Sequence, residues 1–329
     1  MAVVNILSWN IKDLNEAQIL DVNFIALVAK VIQVQNAHLV SILETKSDKG
    51  LDLRTKLCAK LGKNWDSIHS DKSALHSNKP ENYVFLWDTT VVKKGSAAKF
   101  KFPDAQNPRV GFPNMHTSKK SPSRFPFMGE FKVANTTFTC VVFHTTFTAV
   151  HIVEANQNLA QINEVKTDTN VIIMGDFNDH PTLGKSRSYK GKSSFLDLTT
   201  TLNFKSHINA KTSLCQAYLP SWTSTADCRA SEYDNFFLKS AGDFSNPTAT
   251  VVDLVSDLQH PNYLSQLGKA LFNSWAKREN VTKAKTKPGW TAIKEYGKLE
   301  KIATLEDAHE VHWVAVSDHL PIHLKLTVK

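Results

Sequence analysis

Apolar positions along the first 180 residues alternate between two spacings. Val3 to Ile11 is a short, dense run of β-branched and apolar residues, which predicts a buried strand. Ile19, Val22, Ile25, Val28 and Ile32 then recur at helical spacing through residues 16–36. Leu39 to Leu43 reads as a second buried strand, ending on Glu44. Further strands are expected at Tyr83 to Trp87, Met128 to Val133 and Thr137 to Phe143, the last two joined by a polar turn at Ala134-Asn135-Thr136. A helix around 150–166 leads into Val171 to Met174, and strands at Asn235 to Leu238 and Pro321 to Val328 close the pattern. Buried strands in hairpins and in strand–helix–strand units predict a two-sheet α/β sandwich with helices on the outside. No internal repeat is visible. Residues 1–329 read as a single domain, with a lysine-rich helical insertion at about 240–312 on one edge.

Polar and ionisable residues collect at the ends of these strands. Asn10 ends the first and Glu44 the second, His144 follows Val142-Phe143, and Asp176 and Asn178 stand in Gly175-Asp176-Phe177-Asn178. Asp234 precedes one late strand, and Asp318-His319 precedes the last. Singly, each has an ordinary explanation, since Asp, Asn and Gly are common turn residues. Together they form a chemical set. Asn10, Glu44 and Asp318 offer the oxygen atoms that hard cations such as Mg²⁺ or Mn²⁺ favour. His319, His144, Asn178 and Asp176 offer the acid–base and charge-stabilising groups that attack on a phosphodiester needs.

Charge narrows the partner. Thirty-nine Lys and Arg against 31 Asp and Glu leave a formal charge of +8, which favours polyanions such as nucleic acid or an anionic surface. No apolar run is long enough to span a bilayer, and the N-terminal residues run straight into a core strand without the features of a secretory leader. The four cysteines fall in no metal-ligand spacing. Free thiols and a cytoplasmic setting are the expectation, although Cys215 and Cys228 could pair under oxidising conditions.

With these residues in order, the chain resembles the endonuclease/exonuclease/phosphatase superfamily. Gly175-Asp176-Phe177-Asn178 and Ser317-Asp318-His319-Leu320-Pro321 carry the resemblance, supported by Trp9-Asn10 and Leu43-Glu44-Thr45. Finer signals are most similar to deoxyribonuclease I. Glu81-Asn82-Tyr83-Val84-Phe85 resembles the segment whose glutamate orients a histidine, here His144. Ser123-Arg124 resembles the position of an arginine that contacts the DNA backbone, and Thr223 through Cys228 to Asp234 resembles the approach to another active-site aspartate. The resemblance implies an acid–base pair of His319, partnered by Asp318 or Asp176, and His144, oriented by Glu81. Asn178 would hold a phosphate oxygen, and Glu44 and Asn10 the metal. Leu43 stands where active members often carry Gln, the cysteine expected after the Asp-x-Asn motif is replaced by Asp179-His180-Pro181, and the interval from Asp234 to Asp318 is longer than in deoxyribonuclease I.

The expected activity is that of a metal-dependent DNA endonuclease of low sequence specificity, acting on double-stranded DNA. Arg124 and the basic residues Lys185, Arg187, Lys190 and Lys192 would grip phosphates, with Lys277, Arg278, Lys283, Lys285 and Lys287 as a second basic cluster. A phospholipid or phosphoinositide phosphoesterase is the alternative, for which Phe125-Pro126-Phe127 is a candidate apolar surface hairpin. A non-catalytic nucleic-acid-binding scaffold would require loss of metal or histidine residues, and none is lost.

Overall fold

The structure is a computed structural model, and it describes residues 1–46, 48–71, 73, 81–97, 100–102, 124–145, 149–181, 187–189, 192–215, 221–260, 262–278 and 301–329. Fourteen strands are found among these residues: β1 (Ala2–Leu14), β2 (Leu39–Lys46), β3 (Trp65–His69), β4 (Glu81–Asp88), β5 (Val92–Lys94), β6 (Phe127–Val133), β7 (Thr136–His144), β8 (Val171–Asp176), β9 (Ser188–Tyr189), β10 (Lys192–Ser193), β11 (Lys205–Ser206), β12 (Asp234–Lys239), β13 (Phe244–Val251) and β14 (Ile322–Val328). One six-stranded sheet runs β13-β14-β1-β2-β4-β3 and the other β11-β12-β8-β7-β6-β5, while β9 and β10 form a separate ribbon. Each six-stranded sheet is built around one parallel pair, β1 with β2 and β7 with β8, and its other pairings are antiparallel.

The two sheets face each other across an apolar layer. Strand β14 shows the logic: Ile322, Leu324, Leu326 and Val328 are buried in alternation with more exposed positions, the period of a pleated strand. They meet Phe85, Trp87, Phe131, Val142, Met174 and Phe236 in one cluster. Helices cover the outer faces. Over the second sheet lie α4 (Ala149–Leu159) and α5 (Asn163–Thr167), contributing Leu159 and Val165 to the core there.

The helical signal at 16–36 resolves into two helices, α1 (Glu16–Leu20) and α2 (Val22–Val34), with α3 (Gly50–Leu61) following β2. The break falls at Asp21, whose backbone is extended and whose carboxylate accepts from Asn23 N, capping α2. Apolar spacing carries through such a cap, so periodicity alone does not reveal it.

The stretch at 240–312 opens on a strand, not a helix. Strand β13 is an edge strand paired with β14, and it carries Pro247 beside a bulge between Ser245 and Thr248. Proline cannot donate to a ladder and is tolerated at such an edge. Three helices follow among the described residues: α6 (Leu254–Gln259), α7 (Tyr263–Arg278) and α8 (Leu305–Val311). Their Leu254, Leu258, Leu271, Phe272 and Val311 share one cluster with Leu27, Val28 and Val31 of α2 and with Trp9 and Ile42 of the first sheet. These helices therefore help cover the first sheet's outer face. Lys283, Lys285 and Lys287 lie outside the described residues.

A single turn of π-helix, His312–Val316, connects α8 to the segment before β14. The His312 ring is fully buried, and its Nδ1 donates to Ser317 O at 2.5 Å. Burial dominates and lowers its pKa to about 4, against the raising influence of the Ser317 carbonyl and of Asp318 and Asp253; His309 adds to the lowering. The unfolded chain therefore binds the proton first. Stability contributed by neutral His312 is complete above pH 6.5 and is lost as pH falls towards 4, about 3 kcal/mol for this one group. Urea unfolding of wild type and His312→Gln across that interval should show a shallower acid loss in the variant; parallel curves would remove His312 as the cause.

Candidate active site

The described candidate catalytic and metal-binding side chains sit at one end of the sandwich, and topology puts them there. Asn10, Glu44, His144 and Asp176 lie towards the C-terminal ends of β1, β2, β7 and β8, the two parallel pairs. Strands antiparallel to these begin at the same end, so Glu81 opens β4, Asp234 opens β12 and His319 precedes β14. Register completes the convergence, with Asp176 opposite both His144 and Asp234.

Local distortions aim the groups inward. The β1–β2 ladder shifts register between Asn10 and Leu14, and the β2–β4 ladder between Ile42 and Thr45. Glu44 lies within both irregular stretches at φ +59°, a left-handed conformation rare for such a residue. Its Oε1 accepts from Asn10 Nδ2 at 2.9 Å and its Oε2 from Asp13 N at 3.0 Å. Gly175, at φ +139°, lies where a Cβ would stand 2.0 Å from Phe143 O. Only glycine lets β8 approach β7 here and deliver Asp176. Gly175→Ala should cost about 3 kcal/mol or more in denaturant unfolding, through backbone strain and clash together. A loss under about 1 kcal/mol would show that the strand end relaxes freely.

Asp176 is the hub. Its Oδ2 accepts from Asn10 Nδ2 at 2.9 Å and lies 3.5 Å from His319 Nε2 and 3.6 Å from His144 Nε2; its Oδ1 accepts from Asn178 N at 2.8 Å. Burial raises its pKa, opposed chiefly by His319, while Asp234 adds to the rise. Each histidine is backed by a second carboxylate. His319 Nδ1 lies 2.7 Å from Asp234 Oδ2, and His144 Nδ1 lies 2.9 Å from Glu81 Oε2. Such pairing fixes the tautomer and turns Nε2 towards Asp176. Burial disfavours the charged form of both rings, yet the surrounding carboxylates win. The pKa of His319 rises well above its ordinary value, led by Asp234 and Asp176, and that of His144 rises through Glu81 and Glu44.

Of the two carboxylates expected beside His319, Asp176 pairs with it through Nε2 at 3.5 Å, while Nδ1 is taken by Asp234. Asp318 turns to Lys12, its Oδ2 2.5 Å from Nζ, and its Oδ1 lies 3.9 Å from His319 Nε2. It is absent from both groups of side chains among the described residues whose ligand atoms lie within 4.8 Å of one another: Glu44, His144 and Asp176, and Asp176, Asp234 and His319.

Arg124 reaches into the site. Its Nη2 lies 2.5 Å from Glu81 Oε1, and its Nη1 donates to Thr145 O at 3.0 Å and lies 3.2 Å from His144 Nε2. Asn178, held at φ +48°, donates Nδ2 to the same Thr145 carbonyl at 2.8 Å. Arg187 is exposed, with its backbone N donating to the buried Asp179 carboxylate at 3.0 and 3.1 Å. Lys185 and Lys190 lie outside the described residues, as do Ser123 and the side chain of Lys192.

Sequence reasoning missed the supports. Thr212 Oγ1 donates to Asp234 Oδ2 at 2.7 Å and accepts from Asp234 N at 3.0 Å, fixing the carboxylate behind His319. Ser317 Oγ donates to Asn10 O at 2.8 Å and accepts from His319 N at 3.0 Å, tying β1 to the final segment. Tyr83 OH accepts from His144 N at 3.2 Å. Tyr83 stands within the segment quoted for Glu81, whereas nothing local marks Thr212, 22 residues before its partner.

The donor set suits a hard divalent cation. Glu44 and Asp176 bring carboxylate oxygens to one place, and Asn10 Oδ1 is buried beside them with no hydrogen-bond partner.

The model of the Endonuclease/Exonuclease/phosphatase family matches residues 7–235. The chain belongs to this family. Its members are phosphoester hydrolases, generally dependent on a divalent metal. No curated protein sequence matches the chain. Among solved structures it is similar to a functionally unknown conserved protein from Enterococcus faecalis, at 14% identity and TM-score 0.57 over 99% of this chain and 100% of that one. It is similar to a mannosyl-6-phosphatase from Bacteroides thetaiotaomicron, at 13% and 0.55 over 98% and 99%. The human Nocturnin catalytic domain with bound sulfate matches at 13% and 0.52 over 99% and 94%. Identities this low establish a shared fold and nothing finer. No helix among the described residues is long and apolar enough to cross a membrane.

Proposed function

We propose that this family member is a divalent-cation-dependent phosphodiesterase that nicks double-stranded DNA with low sequence specificity. The observation that carries the reading is the pair of imidazoles whose Nε2 atoms face one buried carboxylate, each backed through Nδ1 by its own acid. In-line displacement at a phosphodiester needs one proton removed from water and one delivered to the leaving oxygen, which suits two such rings. Asn178 retains a second amide hydrogen for a phosphate oxygen, while Arg124 holds the Glu81–His144 pair and brings a fixed positive charge. Glu44, Asp176 and Asn10 Oδ1 are the groups that would hold Mg²⁺ or Mn²⁺, which when bound polarises a phosphoryl oxygen. Asp318 stands one residue from His319 and is paired with Lys12, a position suited to steering the rim and not to the cation.

Nucleic acid is favoured over lipid by two features. The net charge is +8, and Lys185, Arg187, Lys190 and Lys192 follow the Asp176 loop in sequence, where they would contact phosphates. Phe125 and Phe127, the candidate apolar hairpin, are instead buried, Phe127 against Phe85 and Phe102. The deciding assay incubates the full chain with supercoiled plasmid in Mg²⁺, Mn²⁺ or EDTA, beside sphingomyelin vesicles and a simple aryl phosphate monoester. Cation-dependent conversion of the plasmid to open circles supports the proposal. Turnover of vesicles or monoester with intact plasmid overturns the substrate, and equal nicking in EDTA overturns the cation.

A further inference from the structure

Cys215 and Cys228 stand opposite each other across a short antiparallel bridge behind the site. Cys215 N donates to Cys228 O at 2.8 Å and Ala230 N to Ser213 O at 2.7 Å, with Leu214 and Arg229 paired between them. Residues directly opposite in such a register project to the same face, with Cα atoms about 4.5–5.5 Å apart. A disulfide spans roughly 4.4–6.8 Å between Cα atoms, so little backbone movement is needed. Both are free thiols, Cys215 half-buried and Cys228 in the apolar cluster under the helices.

What surrounds this bridge gives it a consequence. Thr212 fixes Asp234, Ser213 pairs with His319, Leu214 N donates to Asp318 O at 2.7 Å, and Leu320 N donates to Thr212 O at 2.8 Å. The segment that Cys215 ends is therefore the backing of the His319 strand.

We propose that Cys215 and Cys228 are an oxidisable dithiol whose disulfide locks residues 212–215, the backing of His319, against residues 228–230. The oxidant is a small-molecule disulfide such as oxidised glutathione. The Cys215 thiol, the more accessible, loses its proton and attacks one glutathione sulfur, expelling the other glutathione as a thiol. Cys228 then loses its proton and attacks the Cys215 sulfur, expelling the second glutathione, so two protein thiols are oxidised and one glutathione disulfide is reduced. Burial raises the pKa of Cys215 and, with the neighbouring Cys215 charge, pushes Cys228 up to about 12. Few thiolates are present at neutral pH, so uncatalysed exchange takes minutes to hours.

Both cysteines fall in the tryptic peptide spanning residues 212–229, which makes the product easy to read. The full chain is incubated with oxidised glutathione, alkylated and digested, and backbone amide exchange is followed in parallel. Wild type should yield this peptide lighter by two hydrogens and refractory to alkylation, with slower exchange at 212–215, all reversed by dithiothreitol. Cys215→Ser spares the core and should keep Cys228 alkylatable. A lasting glutathione adduct on Cys215 with Cys228 still alkylatable would overturn the pairing. Unchanged exchange at 212–215 in a disulfide-bonded chain would overturn the lock.

Discussion

His144→Ala and His319→Ala are each expected to lower single-turnover cleavage of duplex DNA by at least 10²–10⁴-fold, the usual worth of a positioned acid or base. The two rings address one site from opposite sheets, His144 from the end of β7 and His319 from the segment before β14. Both Nε2 atoms lie within 3.6 Å of Asp176 Oδ2, so the rings share a single electrostatic centre. The double variant should accordingly fall well short of the product of the single losses, because a half-assembled pair already does little. Glu81→Gln should cost less than His144→Ala, since the amide can still accept from Nδ1 and only the charge is lost. His319 carries the more strongly raised pKa, through Asp234 and Asp176. Asp234→Asn should therefore lower the pH at which activity falls on the alkaline side, while Thr212→Val does so less. Folding is checked by circular dichroism. A near wild-type rate for His144→Ala, with the fold intact, would make that ring a packing element and leave His319 to act alone.

Much of this was legible because strand ends are legible. A dense apolar run stops where the chain meets the rim, so Asn10, Glu44, His144 and Asp176 stood out at the ends of four such runs. The partners that position them did not. Asp234 and His319 lie 85 residues apart, and their contact depends on β12 pairing with β8 while β14 pairs with β1 in the other sheet. Of the two carboxylates expected beside His319, Asp176 is in place, whereas Asp318, its neighbour in sequence, is turned towards Lys12 by the extended backbone at Ser317. A basic residue between Ser and Phe-Pro-Phe gives no sign that Arg124 packs among the site carboxylates, where Glu81 first and then Glu44 and Asp176 favour its charge. Strand β13 was hidden by Pro247 and by its half-exposed pattern, which belongs to an edge. Periodicity finds elements that bury a face, and long-range register finds the site.

Glu44→Gln tests the cation most directly, because so little else changes. The side chain keeps its length and one carbonyl-type acceptor, which can still take the hydrogen bond from Asn10 Nδ2 or from Asp13 N. The bulged, left-handed backbone at residue 44 tolerates either side chain equally, so the substitution removes one negative charge and little packing. A hard divalent cation held by Glu44, Asp176 and Asn10 Oδ1 then loses one of its two carboxylates. Activity in Mg²⁺ should drop on the order of 10²–10³-fold or more, comparable to deleting one electrostatic contact to the transition state. Activity alone would not separate binding from chemistry, so the second measurement is thermal unfolding with added Mn²⁺. A cation that binds only the folded state raises stability by RT ln(1 + [L]/Kd), so saturating Mn²⁺ at about 100-fold over Kd should add about 2.7 kcal/mol to wild type. Glu44→Gln should gain far less at the same concentration, and Asn10→Ala should behave likewise, since it removes the orphaned oxygen along with the amide that draws the two carboxylates together. Equal Mn²⁺ stabilisation of wild type and Glu44→Gln would place the cation elsewhere. The lost activity would then belong to the hydrogen bonds that Glu44 makes to Asn10 and Asp13.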